Sequence, residues 1–224
     1  MSKHLERDME NIHRQILALS ATVEEVIDKA AKALCNRKWE LADEVIQGDN
    51  EVDEREVHIE EECLKILALH QPVAVDLRRI ATVLKVNNDL ERIADLAVNI
   101  AERAKSLSEY PEFPIPTKLR RMVELATMMV RSSLDAFVNL DAKGSRRICL
   151  LDDEVDRYNC EVIDGLQQLM QDQPDLIVPA MHCFSATRHV ERIADHATNI
   201  AEDVIYLVEG EIARHKRASV ESST

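Results

Sequence analysis

The chain has 224 residues and a formal net charge of −14, with 28 Lys and Arg against 42 Asp and Glu. Its 46% hydrophobic content is enough for a buried core, and its length suits one large domain or two small ones. Only 3% of the residues are aromatic, and there are 4 Gly and 6 Pro. Because sheets need turns about every 8–12 residues, and turns draw on Gly, Pro and Asn, this composition excludes an all-β fold. We predict an all-α protein.

The acidic charge also excludes classes of partner. Nucleic-acid binding needs a basic face that neutralises phosphates, and the Arg pairs of this chain are isolated from one another. No apolar run approaches the roughly 20 residues of a membrane span, and the charged first ten residues do not resemble a signal peptide. The five Cys are scattered and lack a CxxC pair, which is typical of reduced thiols. We therefore expect a cytoplasmic protein that neither binds nucleic acid nor inserts into a membrane.

Apolar residues recur at helical spacing between the points where Pro and Gly interrupt the chain. Ile12, Ile16 and Leu19 begin such a pattern in the first segment, and Pro111 to Pro116 interrupt the chain near its midpoint. Gly48 and Gly144 indicate two further turns. We predict six helices, three on each side of the midpoint. The predicted divisions are a first three-helix bundle at 1–110, a Pro-rich linker at 111–117, a second three-helix bundle at 118–214 and a polar tail at 215–224.

The two halves of the chain repeat each other. Residues 91–102 read ERIADLAVNIAE, and residues 191–202 read ERIADHATNIAE. Upstream, the acidic segment 49–53 matches the segment 152–156. A period near 100 residues is too long for a solenoid repeat and indicates a duplicated domain. We therefore predict two tandem three-helix bundles related by a pseudo-twofold axis, with helices packed up and down.

Each half also carries a stripe of carboxylates on one helix face. At 100° per residue, the residues Glu91, Asp95, Asn99 and Glu102 fall within roughly 80° of one another, and their equivalents in the second half do the same. Asp53 precedes the turn near residue 70 by about 17 residues, and Glu91 follows that turn by about 16. At 1.5 Å per residue, an antiparallel hairpin brings Asp53 and Glu91 to roughly the same level. The equivalent match in the second half is looser.

Two interpretations of these stripes stay open. Such pairs are common on the solvated faces of bundle helices, but here they recur in both halves beside Asn and Glu in the same order. Clustered oxygen ligands suit hard cations such as Mg²⁺, Mn²⁺ or Ca²⁺ and also accept iron or zinc. The hypothesis is one surface metal site per bundle.

His182, His189 and His196 lie on another side of the helix and are expected in surface or packing roles. A di-iron centre of the ferritin type needs two Glu-x-x-His motifs, and it is disfavoured because only Glu10-x-x-His13 fits.

The whole pattern resembles a known family. The paired E/D-x-x-x-D motifs, the segment QPVAVDLRRI (Gln71 to Ile80) and the twin ERIAD-x-x-x-NIAE segments are similar to those of the PhoU family of phosphate-specific transport system accessory proteins. The resemblance extends from the first helix to about Ile212. It implies a cytoplasmic, dimeric, non-enzymatic protein that negatively regulates the phosphate-starvation response. The expected partners are the ATPase subunit of the phosphate ABC importer, a phosphate sensor histidine kinase and a second copy of the chain.

The resemblance also implies a set of metal ligands. In the family the E/D-x-x-x-D motifs carry metal clusters, and the stripe adds one Asn to each motif pair. The expected ligands here are Asp49, Asp53, Glu91, Asp95 and Asn99 in the first half, and Asp152, Asp156, Glu191, Asp195 and Asn199 in the second. Mg, Mn, Fe and Zn are not distinguished.

Two other functions use the same stripes. One is a metal-dependent hydrolase or redox enzyme, which would need an open metal position in a sheltered pocket. The other is a metal-storage protein. No Gly-rich phosphate loop, nucleophile elbow or Cys–His pair accompanies the stripes, so we expect no enzyme activity.

Overall fold

The structure, a computed structural model, describes residues 3–210, which form seven α-helices and one 3₁₀ turn (Pro174–Leu176). None of the described helices combines the length and apolar character of a membrane span. The predicted polar tail at 215–224 lies outside the described residues. The helices are α1 (Lys3–Asn36), α2 (Trp39–Gln47), α3 (Asp49–His70), α4 (Ala74–Leu107), α5 (Thr117–Asn139), α6 (Ala142–Asp172) and α7 (Ile177–Glu209).

The predicted turn at Gly48 forms, and the seventh helix arises because the chain also breaks after Asn36, at Arg37 and Lys38. The N–H of Gly48 caps α2 by donating to the carbonyls of Glu44 and Val45, at 3.1 and 3.2 Å, and α3 begins at the next residue. In the second half, α6 runs unbroken through Leu151, the residue equivalent to Gly48. Glycine weakens a helix interior by about 1 kcal/mol relative to alanine, which favours the break. Helices α2 and α3 together therefore correspond to α6.

Gly144 does not form the predicted turn. It lies in the first turn of α6, where its N–H donates to Oδ1 of Asp141 at 2.9 Å. A Cβ atom added to Gly144 would stand 2.4 Å from Oδ2 of the same carboxylate. Glycine is favoured here because it lets the capping carboxylate approach the helix, and the chain turns before it, at Leu140.

The fold consists of two tandem three-helix bundles, as predicted. Helices α1, α2–α3 and α4 form the first bundle, and α5, α6 and α7 form the second. The duplication is visible in the cores, because buried residues of α1 recur in α5 at an offset of 103. Thus Ile16, Leu19 and Val23 correspond to Leu119, Met122 and Ala126, and all six are buried.

The two bundles join chiefly along α4 and α7. Lys85 on α4 pairs with Asp203 on α7 (Nζ to Oδ1, 2.8 Å), and Asp89 pairs with His196 (Oδ1 to Nδ1, 2.8 Å). Residue numbers rise along α4 as they fall along α7, so the two helices are antiparallel. This arrangement places His196, at the middle of the repeated segment 191–202, opposite Asp89, which lies just before segment 91–102.

The connection between the bundles is a packed segment. Residues 108–116 separate α4 from α5, and Phe113 within them is buried in the core. The guanidinium of Arg37, which follows α1, donates to the carbonyl oxygens of Pro111 and Phe113. The segment therefore lies against the C-terminal end of α1.

Candidate metal centres

The first carboxylate cluster is assembled from the start of α3 and the middle of α4. Asp49 is the first residue of α3, Asp53 lies one turn later, and Asp95 projects from α4. One carboxylate oxygen from each of these three residues lies within 4.8 Å of the others. No other group of three potential ligands as close as this occurs in the part of the chain that the structure describes.

The electrostatics of the first cluster reflect crowded negative charge. Burial raises the pKa of Asp49, and the carboxylates of Asp53, Asp95 and Glu102 raise it further. The pKa of Glu91 is also raised, first by burial and then by the charge of Asp95 beside it. These shifts show that the folded chain disfavours full ionisation of the cluster. A bound cation would relieve that repulsion.

Cationic side chains offset the first cluster only in part. Arg92 lies 3.3 Å from Glu91 and 3.5 Å from Asp95, and its side chain is about half exposed. Oδ1 of Asp49 is buried and accepts no hydrogen bond from a described residue. A buried carboxylate oxygen without a donor is costly in protein alone and is satisfied by a metal ion or an ordered water.

A residue outside the predicted set holds the two helices in register. Nδ2 of Asn87, on α4, donates to the carbonyl oxygen of Glu56 at 2.9 Å and to its carboxylate Oε1 at 3.0 Å. Asn87 is 1% exposed and lies one turn before Glu91. Extending the acidic stripe by one turn towards the N-terminus would have reached Asn87. This amide positions the α3 and α4 carboxylates relative to each other.

The second cluster joins the middle of α6 to the middle of α7. Burial raises the pKa of Asp195 to about 6, and the charges of Glu191, Asp152 and Asp156 contribute. Part of Asp195 nevertheless remains exposed to solvent. Oε2 of Glu191 is buried and accepts no hydrogen bond from a described residue, as for Asp49 in the first cluster. The four predicted carboxylates of the second half therefore act on one another electrostatically, without the close triad of the first half.

The two predicted Asn ligands are half-buried one turn beyond the carboxylates. Nδ2 of Asn99 donates to the backbone carbonyl of Asp95 at 2.7 Å, which turns the amide nitrogen back onto its own helix. The amide oxygen, the atom that metals prefer, is the one not used in this bond. Asn199 occupies the equivalent position on α7.

His189 and His196 on α7 make side-chain contacts with residues other than the predicted ligands. His196 contacts Asp89 between the bundles, and Ser185 lies 3.3 Å from Nε2 of His189. Burial lowers the pKa of His189, and the neighbouring charges of Arg192 and Arg103 lower it further. These contacts are structural, and the charge of His196 acts on the second cluster by opposing the rise in the pKa of Asp195.

The donor set of each cluster fits a hard cation. Carboxylate oxygens dominate, an amide oxygen lies nearby, and each cluster includes one buried oxygen that lacks a donor. The chain is therefore a duplicated helical protein that presents one acidic cluster in each of its two bundles. The PhoU domain matches this chain twice, over residues 16–104 and 119–204.

Known proteins match the chain along almost its whole length. A protein of Aquifex aeolicus named phosphate-specific transport system accessory protein PhoU homolog is 41% identical, over 94% of this chain and 95% of its own. The crystal structure of PhoU from Pseudomonas aeruginosa is 37% identical and has a TM-score of 0.90, with coverage of 92% and 99%. A phosphate transport system regulatory protein PhoU from Streptococcus pneumoniae is 29% identical and has a TM-score of 0.86, with coverage of 93% and 98%. The chain belongs to the PhoU family.

Proposed function

We propose that the chain is a non-enzymatic regulator of inorganic phosphate uptake. The observation that carries this proposal is the match, along nearly the whole chain, to relatives named as accessory proteins of the phosphate-specific transport system. The two tandem bundles offer long helix surfaces, which agree with a role in docking. Affinity in such docking comes from a few buried anchor residues rather than from contact area.

The finer role that we propose is negative regulation of the phosphate-starvation response. In this role the chain, as a cytoplasmic homodimer, connects the ATPase subunit of the phosphate importer to a sensor histidine kinase. When phosphate is plentiful, the connection restrains both uptake and the kinase signal. The long helices and the two acidic clusters offer separate surfaces for these contacts.

We further propose that each acidic cluster binds metal. Asp49, Asp53, Glu91 and Asp95, with Asn99, would hold the metal in the first half, and their equivalents would hold it in the second. The ion supplies positive charge that offsets the repulsion behind the raised pKa values of Asp49 and Glu91. Because the ligands come from two helices, binding would also fasten α3 to α4. The oxygen-rich set suits Mg²⁺ or Mn²⁺ and admits iron or zinc.

The regulatory role is tested in the native host. Phosphatase activity and phosphate uptake are measured in phosphate-rich medium, with and without the gene. We expect high phosphatase activity only in the deletion strain, and its return to the low level when the gene is supplied on a plasmid. Unchanged phosphatase activity together with unchanged uptake would overturn the proposal. The acidic clusters would then point to a metal store or a metal-dependent enzyme.

The metal sites need a separate test, made on protein purified without chelator. We expect metal content to fall sharply in the double variant Asp53→Ala/Asp156→Ala, which removes one ligand from each cluster. The matched control is Glu54→Ala/Asp153→Ala, in which the neighbouring exposed acids change and both stripes stay intact. Equal, near-zero metal in the native protein and the first variant would contradict the proposal. Circular dichroism of each variant checks that the helices persist.

A further inference from the structure

Exposed apolar side chains are concentrated on the hairpin of α3 and α4. Among the described residues, fourteen large apolar side chains are exposed, and six of them lie within residues 57–77. On α3 itself, Val57 is 51% exposed and Leu64 is 52% exposed. Single exposed apolar residues are ordinary, but their concentration on one part of a surface indicates a site of interaction.

The two apolar residues of α3 belong to a regular stripe, which we call the outer stripe. It consists of five exposed residues at the alternating spacing of three and four that helices use in coiled-coil contacts: Glu54, Val57, Glu61, Leu64 and Ala68. At 100° per residue these positions fall within roughly 80° of one another. The buried residues of α3, such as Ile59 and Cys63, lie on the opposite side of the helix. The outer stripe is therefore an unpartnered helix face about 21 Å long.

The duplicated half provides an internal comparison for this stripe. At the offset of 103, the equivalent positions on α6 are also exposed, and they are occupied by Arg157, Cys160, Asp164, Gln167 and Gln171. The buried faces of the two helices correspond, because Ile59 and its equivalent Val162 both lie in the core. The second bundle thus forms without large apolar residues at these exposed positions. Packing of a bundle does not require Val57 and Leu64 to be apolar, which favours a role in binding.

The charge of the outer stripe restricts what can bind there. Two other glutamates of α3, Glu51 and Glu62, pair with cationic side chains of their own helix. Glu54, Glu60 and Glu61 form no ion pair with a residue that the structure describes. The same face of a second copy would bring like charges together, and an anionic membrane surface would be repelled. Charge complementarity therefore favours a basic protein partner.

We propose that the outer stripe docks a basic amphipathic helix of a partner protein. Apolar side chains of that helix cover Val57 and Leu64, and its Lys or Arg side chains pair with Glu54 and Glu61. A partner helix of about 14 residues matches the length of the stripe. The inference names a kind of partner for the docking role proposed above and rests on that role.

Peptide binding to the full chain tests the chemistry of the stripe. The probe is a fluorescent helical peptide of about 18 residues, with leucines at alternating spacing of three and four and lysines beside them. We expect Val57→Gln/Leu64→Gln to weaken its binding at least ten-fold, and Met128→Gln/Val138→Gln, which changes two exposed apolar residues of α5, to leave it unchanged. A peptide with glutamate in place of every lysine should bind at least ten-fold more weakly to the native chain. Equal affinity of the native chain and the first variant would overturn the proposal, as would failure of the native chain to bind the basic peptide.

Photo-cross-linking in the native host identifies the occupant. The photoreactive residue p-benzoylphenylalanine replaces Leu64 in one full-length chain and Gln167, the equivalent residue of α6, in the control chain. We expect a protein adduct from position 64 alone, and peptide mass spectrometry should map it to a helical segment rich in Lys and Arg. An adduct with a second copy of the chain or with lipid would overturn the proposal. Equal yields of adduct from the two positions would overturn it as well.

Complementation separates this inference from the regulatory role. The deletion strain is supplied with the native chain or with Val57→Gln/Leu64→Gln, and phosphatase activity is measured in phosphate-rich medium. We expect the variant to leave phosphatase activity several-fold higher than the native chain does, at equal protein level. Full restoration by the variant would overturn the docking stripe and leave the regulatory role standing. If deletion itself changed nothing, the regulatory role would fail, and cross-linking at position 64 would still decide the stripe.

Discussion

At the scale of single residues, the clusters depend on which carboxylates the fold desolvates. Spacing along the helices identified the acidic stripes, and it is the same in both halves. The structure distinguishes the two halves, because burial raises the pKa of Asp49 and Glu91 in the first half and the pKa of Asp195 in the second. The stripes do not specify this difference, because burial depends on the neighbouring helices. Asn87 was missed because its partner, Glu56, lies on another helix.

The raised pKa of Asp195 predicts a pH-dependent penalty in metal-free protein. The folded state binds the Asp195 proton more tightly than the unfolded chain, so ionisation lowers stability above pH 6, and the penalty fades as pH falls towards 4. We expect Asp195→Asn to raise the melting temperature by a few degrees at pH 7.5 in chelator, and the gain to shrink by pH 4.5. Melting curves across pH measure this, with Asp153→Asn as the control. A gain independent of pH would contradict the argument.

At the scale of helices, the contact between α4 and α7 includes buried polar pairs that periodicity alone does not predict. His196 occupies the position that Leu96 has in the first repeat. The sequence alone does not explain this difference, because the partner of His196 is Asp89, 107 positions earlier in the chain. Asp203 is 2% exposed and pairs with Lys85, whose ammonium also lies 5.4 Å from the centre of the Tyr206 ring. Sequence distance hides such pairs because each partner occupies a different bundle.

The pair of Lys85 and Asp203 is predicted to matter more than an exposed pair. Lys85→Met leaves a buried carboxylate without its ammonium, which we expect to lower the free energy of unfolding by about 1–2 kcal/mol. The matched control is Lys105→Met, which removes the exposed pair with Asp43 and should change stability by less than about 0.5 kcal/mol. Urea denaturation of both variants provides the comparison. Equal losses would show that burial of Asp203 adds nothing.

At the scale of the whole molecule, the duplication produces two similar but unequal clusters. In the first, the chain breaks at Gly48, so that Asp49 begins a helix and belongs to the close triad. In the second, the equivalent Asp152 lies inside the unbroken helix α6. The two halves therefore present different surroundings to a metal ion.

This inequality predicts two classes of metal site that are lost separately. We expect Asp49→Asn/Asp53→Asn to remove one class and Asp152→Asn/Asp156→Asn to remove the other, each leaving the remaining class intact. Titration calorimetry with Mn²⁺ on chelator-stripped protein counts the sites. Loss of all binding in either variant would mean that the two clusters are not independent.

The sequence by itself determined the helical class, the duplication, the division into tandem bundles and the residues of both stripes. These follow from composition and from patterns within single segments, which helical geometry converts directly into faces. Only the tertiary structure decided that the chain breaks at residues 37–38, that Gly144 belongs inside a helix, and that, among the described residues, three oxygens meet in the first half alone. These outcomes depend on contacts between residues far apart in the chain, where packing rather than local pattern sets the distances.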